Sequence, residues 1–383
     1  MHNTSYYCSK KFTYLKVDLE KGTTYNCDAA DPQQIDMQTI RDRPGLLFNS
    51  NFMIKEREMM LANVRTSTCE ESCWKYEEQD LVSPRINHKT YIKTHTNTFC
   101  TPDTLEIVMN SECSLSCIYC CKEFSSSWKN DLMKNGPYPL IYPERYKLNL
   151  KDNILAKLSH KQGKSRQSLL FDEVKSYLPG IKLLRFTGGE PLLDKRLFDF
   201  FQYLDPETEV EVVTGLGIKK KHLLKILDAL KKHNVKFAIS AETTADLYDF
   251  VRHGNKWEEF LTKVDIIKEK GFTIQFNVTL CNISVLGFAD FYKQFPNDLF
   301  SHRLLSHPNF LAPYVLDDTS KQHIATTLSN INDPNVTDII NALNTIPTEQ
   351  QRQECNTFIH EFAGRRAIDL SFLPKSFIEW LKK

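Results

Sequence analysis

From about residue 104 onward the chain alternates short apolar runs with longer amphipathic stretches, and this rhythm limits its fold more than any other feature. The runs are LEIVMN (105–110), KLLRFTGG (182–189), VEVVTGL (210–216), KFAISAE (236–242), TIQFNVTL (273–280) and FLAPYVL (310–316). They have the length and apolar character of strands buried on both faces of a parallel sheet. The stretches DKRLFDFFQYL, KKKHLLKILDALKKH, KWEEFLTKVDIIKEK and FADFYKQF lie between them and read as helices. Repeated strand–helix units imply right-handed crossovers and a parallel α/β sheet. Six units predict a partial, open (β/α)6 TIM-like barrel rather than a ring of eight. Residues 122–180 are long for one crossover, which predicts extra helices and a surface loop around Asn135-Gly136-Pro137.

The flanking segments read differently. Residues 1–100 predict a small, irregular, cysteine-rich domain, ahead of a barrel over 101–318 and a helical C-terminal extension over 319–383. Phe12, Tyr14 and the Leu15–Val17–Leu19 set, turned at Glu20-Lys21-Gly22, predict a hairpin. Residues 28–50 read as loop, and NFMIKEREMMLANVR reads as a helix through the spacing of Phe52, Met59, Met60 and Val64. The chain ends in SFIEWLKK, an amphipathic last helix.

The net charge is +1 over 383 residues, which argues against long nucleic acid as a partner. No apolar run is long enough to span a membrane, and the polar start MHNTSYYCSKKF has no apolar signal core, so a cytoplasmic location is expected. The lysine-rich stretch 219–233 carries Leu223, Leu224, Leu227 and Leu230 at helical spacing, which favours a barrel helix with a solvated basic face over an RNA- or membrane-binding one.

Nine of the 11 cysteines precede residue 122. In a long chain without a signal core, such clusters point to metal or redox chemistry rather than disulfides. Cys113, Cys117 and Cys120 are spaced C-x3-C-x2-C directly after the first barrel strand. An iron–sulfur cluster of four irons takes one thiolate per iron, so three thiolates leave one iron open to a reacting ligand. Loops after barrel strands are also where such folds place their chemistry. The spacing alone fits a zinc site as well. The second barrel strand ends in Thr187-Gly188-Gly189-Glu190-Pro191, where two glycines permit close backbone approach and Glu190 can accept hydrogen bonds.

Together these motifs resemble the radical S-adenosylmethionine (SAM) superfamily, to which Tyr119, the aromatic residue before the last cysteine, is a further match. The resemblance implies a [4Fe–4S] cluster on Cys113, Cys117 and Cys120, with SAM chelating the fourth iron. It also implies SAM contacts from Tyr119, Gly188, Gly189, Glu190, Ser240 and Asn277, the last two at the ends of the fourth and fifth strands. The implied activity is reductive cleavage of SAM to a 5′-deoxyadenosyl radical that abstracts hydrogen from a substrate. An electron donor such as flavodoxin or ferredoxin is implied too, with a peptide, carbohydrate or nucleotide as substrate. Arg252, in an Arg-x-Gly-x-x-Trp segment, could hold a carboxylate in two-pronged fashion or stand on the surface at a helix end.

Cys69 and Cys73 sit in TCEESCWKYEEQDLVSPR, and Cys8 and Cys27 flank the hairpin. With Ser125-Ser126-Ser127-Trp128, this segment resembles radical SAM proteins with a twitch or SPASM-like auxiliary domain, implying a second iron–sulfur cluster on Cys8, Cys27, Cys69 and Cys73. Three other arrangements fit the same thiols: a structural zinc, free buried cysteines, or a set with Cys100 in place of Cys8. The sequence departs from the resemblance at Cys121, where glycine is usual, and in the N-terminal position of the auxiliary segment. From another class, a non-catalytic iron–sulfur or zinc protein acting as electron carrier or scaffold would explain the cysteines but not Gly188-Gly189-Glu190.

Overall fold

The computed structural model describes residues 5–43, 45–80, 82–141, 143–148, 166–331 and 336–383. The chain forms two compact units. One comprises Met1–Asn110, Ile154–Val212 and Lys231–Val235; the other comprises Ser111–Asn153, Val213–Leu230 and Lys236–Lys383.

The first unit holds β1 (Tyr14–Asp18), β2 (Thr23–Tyr25), β3 (Gln33–Gln34), β4 (Thr104–Val108), β5 (Leu183–Thr187) and, as far as Val212, β6 (Glu209–Thr214), side by side in the order β3-β2-β1-β4-β5-β6. β1 and β2 are the expected hairpin. Its turn is shaped by Asp18, whose carboxylate accepts the N–H groups of Glu20 and Lys21 at 3.0 and 2.7 Å. β1, β4, β5 and β6 run parallel to one another. One face of these strands is apolar: Leu105, Ile107, Leu184, Phe186, Val210 and Val212 are fully buried. The other face differs from the sequence expectation. Register aligns Lys16, Glu106, Arg185 and Glu211 in one row across four strands. Lys16 meets Glu106 at 2.9 Å, and Arg185 meets Glu106 at 3.5 Å and Glu211 at 2.6 Å. Alternating signs offset the desolvation cost of burying each charge.

Residues 28–50 are less loop-like than the sequence suggested. A helix at Met37–Asp42, capped by Asp36, and a 3-10 turn at Leu47–Asn49 interrupt them. Buried Glu173 accepts the N–H groups of Gly45 and Leu47 at 2.6 and 2.8 Å and pins this segment. The helix expected after it spans Asn51–Leu61.

The second unit carries, from Lys236 on, β7 (Asn234–Ser240), then β8 (Thr273–Leu280) and β9 (Leu299–Leu304), parallel in that order. Helices Trp257–Glu269 and Phe288–Gln294 connect them, and helix Lys220–Leu230 buries Leu223, Ile226, Leu227 and Leu230 beneath an exposed lysine face. The strand expected at 310–316 is not there. The last strand is β9, and Asn309–Leu311 is a 3-10 turn leading into buried Ala312, Val315 and Leu316. Pro308 and Pro313 lack the N–H that a ladder needs, so this apolar run fills the core without pairing. β9 bonds β8 alone and needs little hydrophobicity, which is why LFSHRL gave no strand signal.

Helices Asp318–Leu328, Val336–Leu343, Glu349–Arg366 and Lys375–Leu381 complete this unit. The longest starts with a reciprocal capping box between Thr348 and Gln351. Its Phe358 and Phe362 pack on Trp128, with ring centroids 6.3 and 5.7 Å apart, and Arg365 bonds Asp131 and the Gly136 carbonyl. The tail therefore buttresses helix Ser126–Asn135, the first extra helix of the long crossover; residues 149–165 of that crossover lie outside the described residues.

Candidate iron–sulfur and SAM site

The three cysteines of C-x3-C-x2-C lie on a loop that is tied down along its length. Ser116 and Ile118 donate their N–H groups to the carbonyls of His253 and Val251, both at 2.9 Å, so the loop runs alongside residues 251–253 and sets Cys117 opposite Arg252. Ser125 caps helix Ser126–Asn135 and donates to the Leu115 carbonyl at 2.6 Å. Ser126 accepts the Cys113 N–H at 3.0 Å, Ser127 donates to the Cys113 carbonyl at 2.8 Å, and buried Trp128 donates to the Cys117 carbonyl at 2.8 Å. The Ser-Ser-Ser-Trp segment thus acts as the clamp of the cysteine loop. Gly217 and Gly254 are demanded from the other side. A Cβ on Gly217 would stand 2.6 Å from Ser114 Oγ, and one on Gly254, whose φ is +105°, 2.8 Å from the Ser114 carbonyl.

Arg252 is a buried residue, not a surface one. Its Nε and Nη2 grip Glu242 at 3.0 and 2.6 Å, and its Nη1 donates to Cys117 Sγ at 3.6 Å. Tyr119 donates its hydroxyl to Glu242 at 3.1 Å, with the Arg252 guanidinium 5.3 Å from its ring centroid. The carboxylate that Arg252 holds is therefore a residue of the chain itself. Burial pushes the Cys117 thiol up, with Arg252 working against it and Glu242 adding to it. Burial, reinforced by Cys117 and Cys121, pushes the Cys120 thiol up further. Thiols in this state must shed protons to bind metal, so loading the site releases protons. Three soft donors on one immobilised turn, with a guanidinium beside them to offset thiolate charge, fit the ligand set of an iron–sulfur cluster. Among the described residues, no three His, Cys, Asp or Glu side chains are gathered closely enough to hold a single metal ion.

The Gly188-Gly189-Glu190 turn ends β5 in the first unit. Gly188 has φ +130°, and a Cβ there would lie 2.5 Å from the Asn110 carbonyl oxygen. The same oxygen accepts the Gly189 N–H at 2.8 Å. Main-chain packing against the end of β4 is thus the first reason for glycine at 188, rather than the ligand approach read from the sequence. Glu190 is buried and accepts the Leu192 N–H at 3.3 Å, capping the 3-10 turn Pro191–Leu193. In the second unit, Ser240 and Asn277 are register partners across β7 and β8 and lie on one face of the sheet. Ser240 ends its strand; Asn277 does not, since β8 runs on to Leu280.

Cys8, Cys27, Cys69 and Cys73 line one small pocket in the first unit, together with Lys11, Trp74, Arg85 and His88. Cys69 and Cys73 come from one π-helical turn, Glu70–Trp74 with Cys69 as its cap. Cys100 is not on this pocket's wall; its thiol donates to the Phe12 carbonyl at 3.3 Å. Buried Lys11 bonds Glu56 and Asn26 at 2.7 Å and Thr68 at 2.8 Å. Arg85 pairs with Glu77 and donates to the Ser5 and Tyr7 carbonyls. Burial pushes the Cys27 thiol up to about 12, with Asp28 adding to it, and raises Cys8 and Cys73 in the same direction. Arg85 lies in the cysteine segment already singled out in the sequence, whereas Lys11 and His88, to which the sequence reading gave no role at these thiols, carry no spacing signal toward them.

Comparison with known proteins places the central segment. Residues 107–290 match the radical SAM superfamily. A 110-residue stretch is 33% identical to a GTP 3′,8-cyclase of Staphylococcus carnosus, covering 26% of this chain and 30% of that protein; the chain spans about a third of the length of this curated relative. Solved structures similar in part include native anSMEcpe with bound AdoMet, at 14% identity over 52% of this chain and 50% of that one with a TM-score of 0.34. Streptococcus suis SuiB bound to precursor peptide SuiA is similar at 14% identity over 91% of this chain and 78% of that one, with a TM-score of 0.35. The segment similar to the radical SAM superfamily, residues 107–290, includes the three-cysteine loop of Cys113, Cys117 and Cys120.

Proposed function

We propose that Cys113, Cys117 and Cys120 hold a [4Fe–4S] cluster, that SAM binds its fourth iron, and that the chain is a radical SAM enzyme. The observation that carries this reading is the immobilised three-thiol loop with Arg252 at Cys117, inside the segment that matches the superfamily. A cluster held by Cys113, Cys117 and Cys120 would supply the one-electron reductive cleavage of SAM and, through it, hydrogen abstraction from an unactivated carbon of the substrate. The protein binds, orients and excludes water. Clamp residues Ser125, Ser126, Ser127 and Trp128 hold the main chain of the loop at Cys113, Leu115 and Cys117. Tyr119 spends its hydroxyl on Glu242 and so orients Arg252. Gly188, Gly189, Glu190, Ser240 and Asn277 are assigned to SAM.

The pocket of Cys8, Cys27, Cys69 and Cys73 is assigned to a second, closed iron–sulfur cluster, with residues 1–100 as its domain, 101–318 as the barrel and 319–383 as the extension. Lys11 and Arg85 beside the four thiols support that assignment, because cations offset thiolate charge. A donor such as flavodoxin or ferredoxin supplies the electron in the cytoplasm, and the substrate class is a peptide or protein. No helix among the described residues is long and apolar enough to cross a membrane.

Anaerobic reconstitution followed by SAM and dithionite tests the reading. A brown protein that yields 5′-deoxyadenosine, with iron near eight per chain, is expected. Changing Cys8, Cys27, Cys69 and Cys73 to Ser should lower iron to about four per chain and leave the three-cysteine cluster in place. A fully loaded protein that releases no 5′-deoxyadenosine would refute the catalytic assignment, and four irons in the parent would refute the second cluster.

A further inference from the structure

We infer that Arg252 is a positioning residue that sets the reduction equilibrium of the cluster through a hydrogen bond to Cys117, and that Glu242 controls how much of its charge reaches that sulfur. The inference rests on the assignment of Cys117 as a cluster ligand.

Arg252 sits at the end of helix Ala245–Val251 and is 5% exposed, so its charge is poorly screened by water. Two of its nitrogens are occupied by Glu242, which is itself fully buried. The third, Nη1, points the other way, at Cys117 Sγ 3.6 Å away. The bracketing bonds from Ser116 to His253 and from Ile118 to Val251 make this approach a consequence of main-chain register rather than of a wandering side chain. The arrangement is an oriented dipole: a negative carboxylate on the far side, a positive donor against sulfur. Tyr119 completes it by donating to the same carboxylate at 3.1 Å, drawing part of the Glu242 charge away from the arginine.

The consequence follows from charge. When the cluster takes one electron from an external one-electron donor, negative charge on its sulfur ligands grows. A cationic N–H donor at one sulfur stabilises the reduced form more than the oxidised form. Arg252 therefore makes the cluster easier to reduce, and Glu242 restrains that effect. Removing either residue must act in opposite senses: loss of Arg252 leaves a buried carboxylate near the cluster, whereas loss of the Glu242 charge leaves an uncompensated guanidinium. A purely structural role would give the two changes the same sign, or no shift.

The test is a potentiometric titration of the reconstituted holoprotein without SAM, followed by electron paramagnetic resonance, for the parent, Arg252→Met, Glu242→Gln and the double variant. Each protein is first checked for full iron and sulfide content at the three-cysteine site in a background with Cys8, Cys27, Cys69 and Cys73 changed to Ser. Arg252→Met should be harder to reduce by about tenfold in the one-electron equilibrium, or ~59 mV. Glu242→Gln should be easier to reduce by a similar factor, and the double variant should fall between them. If Arg252→Met does not load, Glu242→Gln and Tyr119→Phe decide: Glu242→Gln must move the equilibrium toward the reduced cluster, and Tyr119→Phe, which frees the carboxylate to neutralise Arg252, must move it the other way. Shifts of one sign in any opposed pair, or unshifted potentials in loaded proteins, overturn the inference. A parent that takes up no cluster defeats the functional assignment instead, and so is distinguishable.

Discussion

Replacing Gly188 by alanine separates two reasons for the glycine pair. The added methyl would meet the Asn110 carbonyl oxygen at 2.5 Å, far inside van der Waals contact. That oxygen cannot swing aside freely, because it also accepts the Gly189 N–H at 2.8 Å. The backbone at φ +130° is strained for any L side chain as well. Strain at such a dihedral costs about 1–3 kcal/mol, and forcing a methyl into a packed site costs about 1–3 kcal/mol more, so Gly188→Ala should lose about 2–6 kcal/mol. Gly180→Ala and Gly136→Ala are the controls. Their φ values are +82° and +78° and nothing lies within 4 Å of the added carbon, so they carry the strain without the collision. Urea denaturation of the metal-free protein should place Gly188→Ala about 1–3 kcal/mol below both controls. Equal losses in all three would refute the argument that main-chain packing demands the glycine. A Gly188→Ala protein that matched the controls in stability yet bound SAM poorly would restore ligand approach as its reason.

Two further outcomes follow from the loop. Trp128→Phe removes the indole donor at the Cys117 carbonyl and leaves a gap in a fully buried aromatic cluster, so a loss of about 1–3 kcal/mol in urea denaturation is expected; a variant as stable as the parent would show that the clamp does not hold the loop. His253, whose carbonyl pairs with Ser116, is held neutral: burial foremost, then Arg366 and Lys256, lowers its folded-state pKa to about 4, against about 6.5 when unfolded. The unfolded chain then binds the extra proton first, so stability is full above about pH 6.5 and falls as pH drops toward 4. Urea midpoints across that window should flatten in His253→Gln, and an identical slope in the variant would remove His253 as the cause.

Local pattern made several features of this protein legible. C-x3-C-x2-C announces a three-thiolate donor set because ligand spacing within one turn is a local property, and five barrel strands were visible because buried strands concentrate apolar residues. The last strand escaped because an edge strand bonded on one side tolerates Leu299, Ser301 and Arg303 on its outer face, while the more apolar run at 310–316 was barred from pairing by Pro313 within it and Pro308 just before it. Arg252 shows the same boundary at the site. Its sequence context suggested a carboxylate partner but could not say whose, since Glu242 and Cys117 come from different segments and meet it only when the loop lies in register along residues 251–253.

Sequence by itself determined the chemistry that the chain can offer: soft thiols in a tight trio, a glycine pair at a strand end, and an alternation of strand and helix that folds as α/β. Tertiary structure alone decided which groups share a site. It placed Cys8 rather than Cys100 with Cys27, Cys69 and Cys73, lined up Lys16, Glu106, Arg185 and Glu211 across four strands, and set Arg252 between Glu242 and Cys117. The physical reason is range. Propensity and spacing act over a few residues, whereas register and packing bring together charges tens to hundreds of residues apart, and only there do desolvation and ion pairing act.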